Sequence, residues 1–202
     1  MQIRVVIADD HLPVLASVGA AVAATGAKVV AQARSPDELF DALGEHDCDL
    51  LVCDYAMPID EQVDGVEMFD AVRKRWPLLP VIVLTSMSNG VLLRALRELG
   101  VRALVDKTAP LQELAGTIGT VLHGDTVASP AFAEAIAACD AQLDDAALND
   151  ATLKNEIARM FERGRSRESI AALLRIPEPA VERHRRDAGA AGPPVRSGRL
   201  GP

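Results

Sequence analysis

Five short apolar runs alternate with helix-patterned stretches over the first 124 residues, and this alternation constrains the fold more tightly than any other feature of the chain. The runs are Arg4–Ala8, Lys28–Ala33, Leu50–Asp54, Val81–Thr85 and Ala103–Asp106. They are rich in Val, Ile, Leu and Ala with little polar alternation, as strands buried on both faces require. The stretches between them carry helix signals. Ser35 stands where it can cap a helix through Phe40 and Leu43, with Pro36 at the first position and Glu38 at the third. Leu92, Leu93, Leu96 and Leu99 share a helical face that ends at Gly100. Pro110 opens a last helix through Leu111, Leu114, Ile118, Val121 and Leu122, which stops near Gly124.

Successive β-α units imply a parallel sheet with helices on both faces, because each crossover helix must pack back onto the sheet. At this length the expected fold class is α/β: a flavodoxin-like five-stranded sheet in the order 2-1-3-4-5, with its functional crevice at the carboxyl ends of the strands. Polar residues collect at those ends. The first strand runs into Asp9-Asp10, the third ends in Asp54, the fourth ends in Thr85, and Lys107 follows the fifth. Three carboxylates held together repel one another unless a cation joins them, and oxygen ligands favour a hard divalent ion, most directly Mg2+. A carboxylate beside such an ion is a nucleophile towards a phosphoryl group, with the Lys107 ammonium and the Thr85 hydroxyl placed to receive charge on the transferred oxygens. Taken singly, each residue has an ordinary structural role as a turn aspartate, a strand threonine or a solvated lysine. Their joint occurrence at four strand ends decides for chemistry.

Charge separates the two ends of the chain. Residues 1–150 carry a balance of −13 and residues 151–202 one of +5, within an overall −8. The two ends are therefore expected to meet different partners, and the basic end fits either nucleic acid or a merely solvated face. Cys48, Cys53 and Cys139 have no CxxC spacing and leave one thiol unpaired, which argues against a disulfide framework or zinc site and for a reducing compartment. The uncharged stretch Leu12–Ala27 is too short and too rich in Ala and Gly for a membrane span, and Asp9 and Asp10 interrupt the place where a secretory signal would be apolar. A cytoplasmic protein without a membrane partner is expected. There is no P-loop, GxSxG or HExxH pattern, and Asp9-Asp10-His11 stands where an aspartyl phosphatase would carry DxD, so no metabolic enzyme is expected. His11 reads as a helix-entry residue.

The motifs VVIADDH, LVCDYAMP, VIVLTS and LVDK, in this order, closely resemble the receiver domain of two-component response regulators over about residues 3–124. The resemblance implies that Asp54 accepts a phosphoryl group from a sensor histidine kinase or phosphotransfer protein. It implies that Asp10 coordinates Mg2+ directly, that Asp9 acts mainly through water, and that Asp54 and the carbonyl of Ala56 complete the protein ligands. Thr85 would be the switch hydroxyl and Lys107 the phosphate-binding lysine. Met57-Pro58 and Asp64-Gly65 bracket a slightly long, acidic loop, Ile59–Val63, and the DYAMP…DG pattern resembles the capsule-regulating branch of the NarL/FixJ group. Many receivers carry an aromatic residue three positions before the lysine, which swings inward as the threonine moves. Leu104 stands there instead, so the output must use other packing.

Residues 125–152 loosen into an Ala- and Asp-rich linker with one helix, starting at Ser129-Pro130 and packing locally through Phe132, Ile136 and Leu143. Over 153–188 a small all-α helix-turn-helix module is expected. Its first helix carries Leu153, Ile157, Met160 and Phe161 and breaks at Gly164. Ser166 caps a second helix with Ile170, Ala171, Leu173 and Leu174. A turn at Arg175-Ile176-Pro177 leads to a third, Glu178–Asp187, with Val181 inward. The segment EIARMFERGRSRESIAALLRIPEPAVERHRR resembles the LuxR-type DNA-binding domain of the same regulators, in an atypical, truncated form. Pro179 and Glu182 replace lysines common in that family, and Gly189 with the Pro-rich tail of 189–202, expected to be disordered, leaves no room for its fourth helix. Arg183, Arg185 and Arg186 remain as phosphate contacts, with Arg163, Arg165 and Arg167 as a flanking basic patch. Two outputs stay open: DNA binding by a homodimer favoured by phosphorylation, or protein contact by a degenerate module.

Overall fold

The computed structural model of the protein describes residues 2–57, 63–143 and 145–190. Strands β1 (Arg4–Ala8), β2 (Lys28–Ala33), β3 (Leu50–Asp54), β4 (Val81–Thr85) and β5 (Ala103–Asp106) coincide with the five apolar runs, and all pair in parallel. A sixth strand, β6 (Val127–Ala128), pairs with Ala103 and Leu104, so the order is β2-β1-β3-β4-β5-β6 rather than five-stranded. Two residues are too few to show periodicity in a sequence. The strand is held by backbone bonds, Val127 N–H to Arg102 and Ser129 N–H to Leu104, each 2.9 Å.

Strand geometry sends successive side chains to opposite faces, which divides the core into two. Val5, Ile7, Val52, Leu84 and Val105 meet α1 (Leu12–Ala24) and α5 (Leu111–Leu122) through Leu15, Val18, Leu114, Ile118 and Val121. Val6, Leu51, Cys53, Val83 and Leu104 meet α2 (Pro36–Glu45), α3 (Gly65–Arg75) and α4 (Gly90–Glu98) through Leu39, Leu43, Phe69, Val72 and Leu92. The Ser35 cap forms as expected, its hydroxyl accepting the Glu38 N–H at 3.1 Å, and Asn89 caps α4 by accepting from Val91 and Leu92.

After β6 come α6 (Pro130–Ala141), α7 (Asp145–Asn149), α8 (Ala151–Glu162), α9 (Arg167–Leu174) and α10 (Glu178–Ala190). The segment expected to carry one helix thus carries a strand and two. Phe132 and Ile136 of α6 do more than pack locally, because they join the apolar cluster on the α4 side of the sheet. Full burial of such side chains contributes about 2 kcal/mol each. That cluster continues through Leu153, Ile157 and Met160 of α8, Ile170 and Leu174 of α9 and Val181 of α10. The three carboxyl-terminal helices therefore share one core with the sheet. Among the described residues no helix is long and apolar enough to cross a membrane. Most of the loop Ile59–Val63 and of the 189–202 tail lies outside the described residues.

Candidate functional site

Parallel pairing aligns the carboxyl ends of β1, β3, β4 and β5, and the polar residues that end or follow them meet there. The Lys107 ammonium lies 2.7 Å from Asp9 Oδ2 and 2.7 Å from Asp54 Oδ2, bridging two buried carboxylates from different strands. Asp9 Oδ1 accepts the His11 N–H at 2.9 Å, and His11 Nδ1 lies 2.7 Å from Asp10 Oδ1. Thr85 is buried, its hydroxyl accepting the Met87 N–H at 2.9 Å, while its carbonyl accepts the Lys107 N–H at 3.0 Å. Asp9, Asp10, Asp54, Thr85 and Lys107 are thus brought to one crevice, with Ala56 two residues beyond Asp54.

Burial raises the pKa of Asp54, and the Lys107 ammonium works against that rise. Burial disfavours the Lys107 charge, but its bonds to Asp54 and Asp9 outweigh burial and raise its pKa. The Lys107 ammonium bonds Asp9 and Asp54, and Asp10 lies against His11, so the crevice holds more carboxylates than ammonium groups. Ligand atoms of Asp9, Asp10 and His11 lie within 4.8 Å of one another, and the carboxylate oxygens are the donors a hard divalent cation takes. The donor set fits such an ion.

The arginines of the carboxyl-terminal helices divide into two groups. Arg183, Arg185 and Arg186 on α10 are exposed, the first 3.4 Å from Asp145 and the others 3.0 and 3.7 Å from Glu182. Arg163 and Arg165, expected beside them as a basic patch, face the other way. Arg163 pairs with Asp64 at 3.0 Å and Glu67 at 3.1 Å, and Arg165 with Glu67 at 2.6 Å. Arg167 instead pairs with Glu168 and Glu178.

Sequence reasoning missed the rest of this network. Arg159 on α8 pairs with Asp64 at 2.7 Å and with Glu156 at 2.5 Å. Glu156, 1% exposed, also accepts the Val66 N–H at 3.0 Å across a sequence separation of 90 residues. Burial raises the pKa of Glu156, against the pull of Arg159. Gly65, at φ +63°, admits this carboxylate, since an added Cβ would overlap Glu156 Oε1. The acid at 156 and the arginines at 159, 163 and 165 were visible in the sequence, but nothing local names partners so distant.

A family profile described as the response regulator receiver domain matches residues 5–118, more than half of the chain. The chain belongs to the response regulator receiver family. It is 28% identical over 122 residues to the transcriptional regulatory protein RcsB of Escherichia coli K12, covering 60% of this chain and 56% of RcsB. The chain thus spans about half the length of the RcsB proteins it matches. It is 25% identical over 200 residues to the oxygen regulatory protein NreC of Staphylococcus haemolyticus, covering 90% of this chain and 87% of NreC. The structure of two RcsB dimers bound to two parallel DNAs superimposes with a TM-score of 0.65 over 93% of this chain and 90% of that one, at 22% identity. At that identity the likeness establishes the fold, including its helical end.

Proposed function

We propose that this chain is a phosphorylation-controlled transcription regulator in which Asp54 of the receiver accepts a phosphoryl group from a partner histidine kinase or phosphotransfer protein. The reading rests above all on the Lys107 ammonium bridging Asp9 and Asp54 at 2.7 Å each. The carboxylate of Asp54 attacks phosphorus as the phosphorus–nitrogen bond to the donor imidazole breaks. The nucleophile carries no proton to lose, and the leaving imidazole takes one up. Lys107 and the Thr85 hydroxyl neutralise and position the transferred oxygens. Mg2+ would be held by Asp10, Asp54 and the Ala56 carbonyl, with Asp9 through water, and supplies further neutralisation of the phosphoryl charge. We assign 1–124 to the receiver, 125–152 to the linker, 153–188 to the helix-turn-helix and 189–202 to a tail. Incubation with Mg2+ and acetyl phosphate should put a labile acyl phosphate on Asp54, absent in Asp54→Asn and weaker in Asp10→Ala. Label on another residue, or none, overturns the assignment.

The DNA end of the reading draws on exposed α10 and on RcsB, which has been solved as dimers on DNA. Arg183, Arg185 and Arg186 would contact phosphates in a homodimer favoured by phosphorylation. Replacing all three with Ala should flatten the salt dependence of promoter binding by a slope of about 2–3, at roughly 0.9 for each phosphate no longer neutralised. One observation favours the second output, protein contact: Glu182 sits between Arg185 and Arg186 and engages both. Absence of promoter binding at low salt, with and without phosphorylation, decides for it.

A further inference from the structure

The network between α8 and the start of α3 plays no part in phosphoryl chemistry, yet it fastens the helical end to the segment that leaves Asp54. Asp64 and Glu67, each 2% exposed, take Arg159, Arg163 and Arg165, while Glu156 returns the contact by accepting the Val66 N–H. Two features connect this clasp to Asp54. The Gly65 N–H donates to the Tyr55 carbonyl at 3.2 Å, tying the residue next to Asp54 to the residue against which Glu156 packs. The Tyr55 side chain is itself buried, and its hydroxyl meets no hydrogen-bond partner of good geometry among the described residues. The Glu156 charge lies close enough to act with burial in pushing the phenol well above its usual range.

A displacement of the backbone at Tyr55 would meet Gly65 and, through it, Glu156. No Cβ cushions Gly65 against Glu156, and packed interfaces repack between discrete arrangements rather than stretch. The alternative route, through the position three residues before Lys107, ends in Leu104, a buried aliphatic side chain with neither ring nor hydroxyl. We propose that phosphorylation reaches the helical end through Tyr55, Gly65 and Glu156, the phosphoryl group on Asp54 displacing this backbone and loosening the docking of α8 on the Asp64–Glu67 face. The inference rests on Asp54 being the acceptor. The acyl phosphate carries about −1.5 to −2 where the carboxylate carried a single negative charge, and it needs room beside Tyr55. Loosening frees Arg159, Arg163 and Arg165, which the receiver carboxylates hold in the docked state.

The test is hydrogen exchange by mass spectrometry on the full chain, with and without Mg2+ and acetyl phosphate, the label on Asp54 being quantified in the same samples. Amides of 151–162 and 66–69 should exchange together about tenfold faster in labelled protein, and Asp54→Asn treated identically should not respond. Tyr55→Phe keeps the backbone bond to Gly65 and gives up only the hydroxyl, so it should accept label and respond within about twofold of the wild type. Glu67→Arg should speed exchange without label, and combining it with Arg163→Glu and Arg165→Glu should restore protection. Labelled Asp54 with unchanged α8 exchange, or a Tyr55→Phe chain that takes label and does not respond, overturns the inference alone. An Asp54 that takes no label overturns the phosphorylation reading and this one with it.

Discussion

Two clusters of buried charge stand on either side of Tyr55, and they are balanced differently. At the strand ends the ammonium of Lys107 bridges Asp9 and Asp54, while Asp10 lies against His11. Between α3 and α8, Asp64, Glu67 and Glu156 face the guanidinium groups of Arg159, Arg163 and Arg165. The first cluster carries more negative charge than its own ammonium neutralises, which fits the divalent cation of the proposed function. The second matches Asp64, Glu67 and Glu156 with three arginines, and extends to Asp70, which lies 3.8 Å from Arg165 and pairs with Lys74. Arginine suits this role because its planar fork can bond two carboxylates at once, as Arg159 and Arg163 do, without losing its proton on burial. Under-neutralisation marks chemistry; balance marks attachment.

If that contrast holds, losing a cation has different consequences in the two places. Lys107→Ala should slow acquisition of label by Asp54 about 100-fold or more, the usual consequence of removing a group aimed at developing charge. Labelling time courses with acetyl phosphate measure it, and a rate within a few-fold of wild type would remove Lys107 from the mechanism. Arg159→Ala should leave labelling undiminished but cost about 3 kcal/mol of stability in urea unfolding, because it strands Glu156 with one amide donor in a buried site. An Arg159→Ala protein as stable as wild type would show that the second cluster holds nothing together.

The first cluster was legible in the sequence because its logic is one-dimensional. Each strand is a local apolar run, each candidate residue ends or follows a run, and parallel pairing alone carries Asp9, Asp54, Thr85 and Lys107 to one edge. The second was not, because its members are separated by more than 90 residues and its arginines lie on a segment whose basic character read as a nucleic-acid patch. The sixth strand escaped for a different reason. Val127–Ala128 has no pattern of its own and exists because β5 offers an open edge. The last three helices were read from their apolar stripes and from one cap, Ser166, which accepts from Ser169, but their place in the core beside the sheet depends on tertiary packing that amphipathic spacing does not specify.

Glycines separate the two regions on a smaller scale. Gly65 and Gly26 both have positive φ, +63° and +80°, but only Gly65 has a side chain pressed against it. Gly26→Ala should cost about 1 kcal/mol from backbone strain alone. Gly65→Ala carries the same strain and in addition expels Glu156, so it should cost about 2 kcal/mol or more and loosen α8. Urea midpoints of the two variants, read side by side, check the difference. Equal losses would mean that the Glu156 contact at Gly65 yields without consequence.

The smallest expected effect concerns pH, and it tests whether balance in the second cluster is complete. Burial raises the pKa of Glu156 despite Arg159 and the Val66 amide. A carboxyl whose folded value lies above its unfolded one binds more protons when folded, so its contribution to stability is fully present below the ordinary glutamate value of 4.5 and is lost as pH rises through the raised value. Wild type should therefore lose ground to Glu156→Gln over that interval, an effect on the order of 1 kcal/mol. Asp49, lowered by its bonds to Arg4 at the surface, has the opposite sign and should favour wild type over Asp49→Asn as pH rises through the lowered value. Unfolding curves of the two pairs across the acid range separate the cases. If Glu156 behaves like Asp49, the arginines neutralise the buried acid in full and the clasp is a source of stability at neutral pH. If it behaves as its burial dictates, the clasp is held partly against an electrostatic cost, and a modest displacement at Tyr55 suffices to open it.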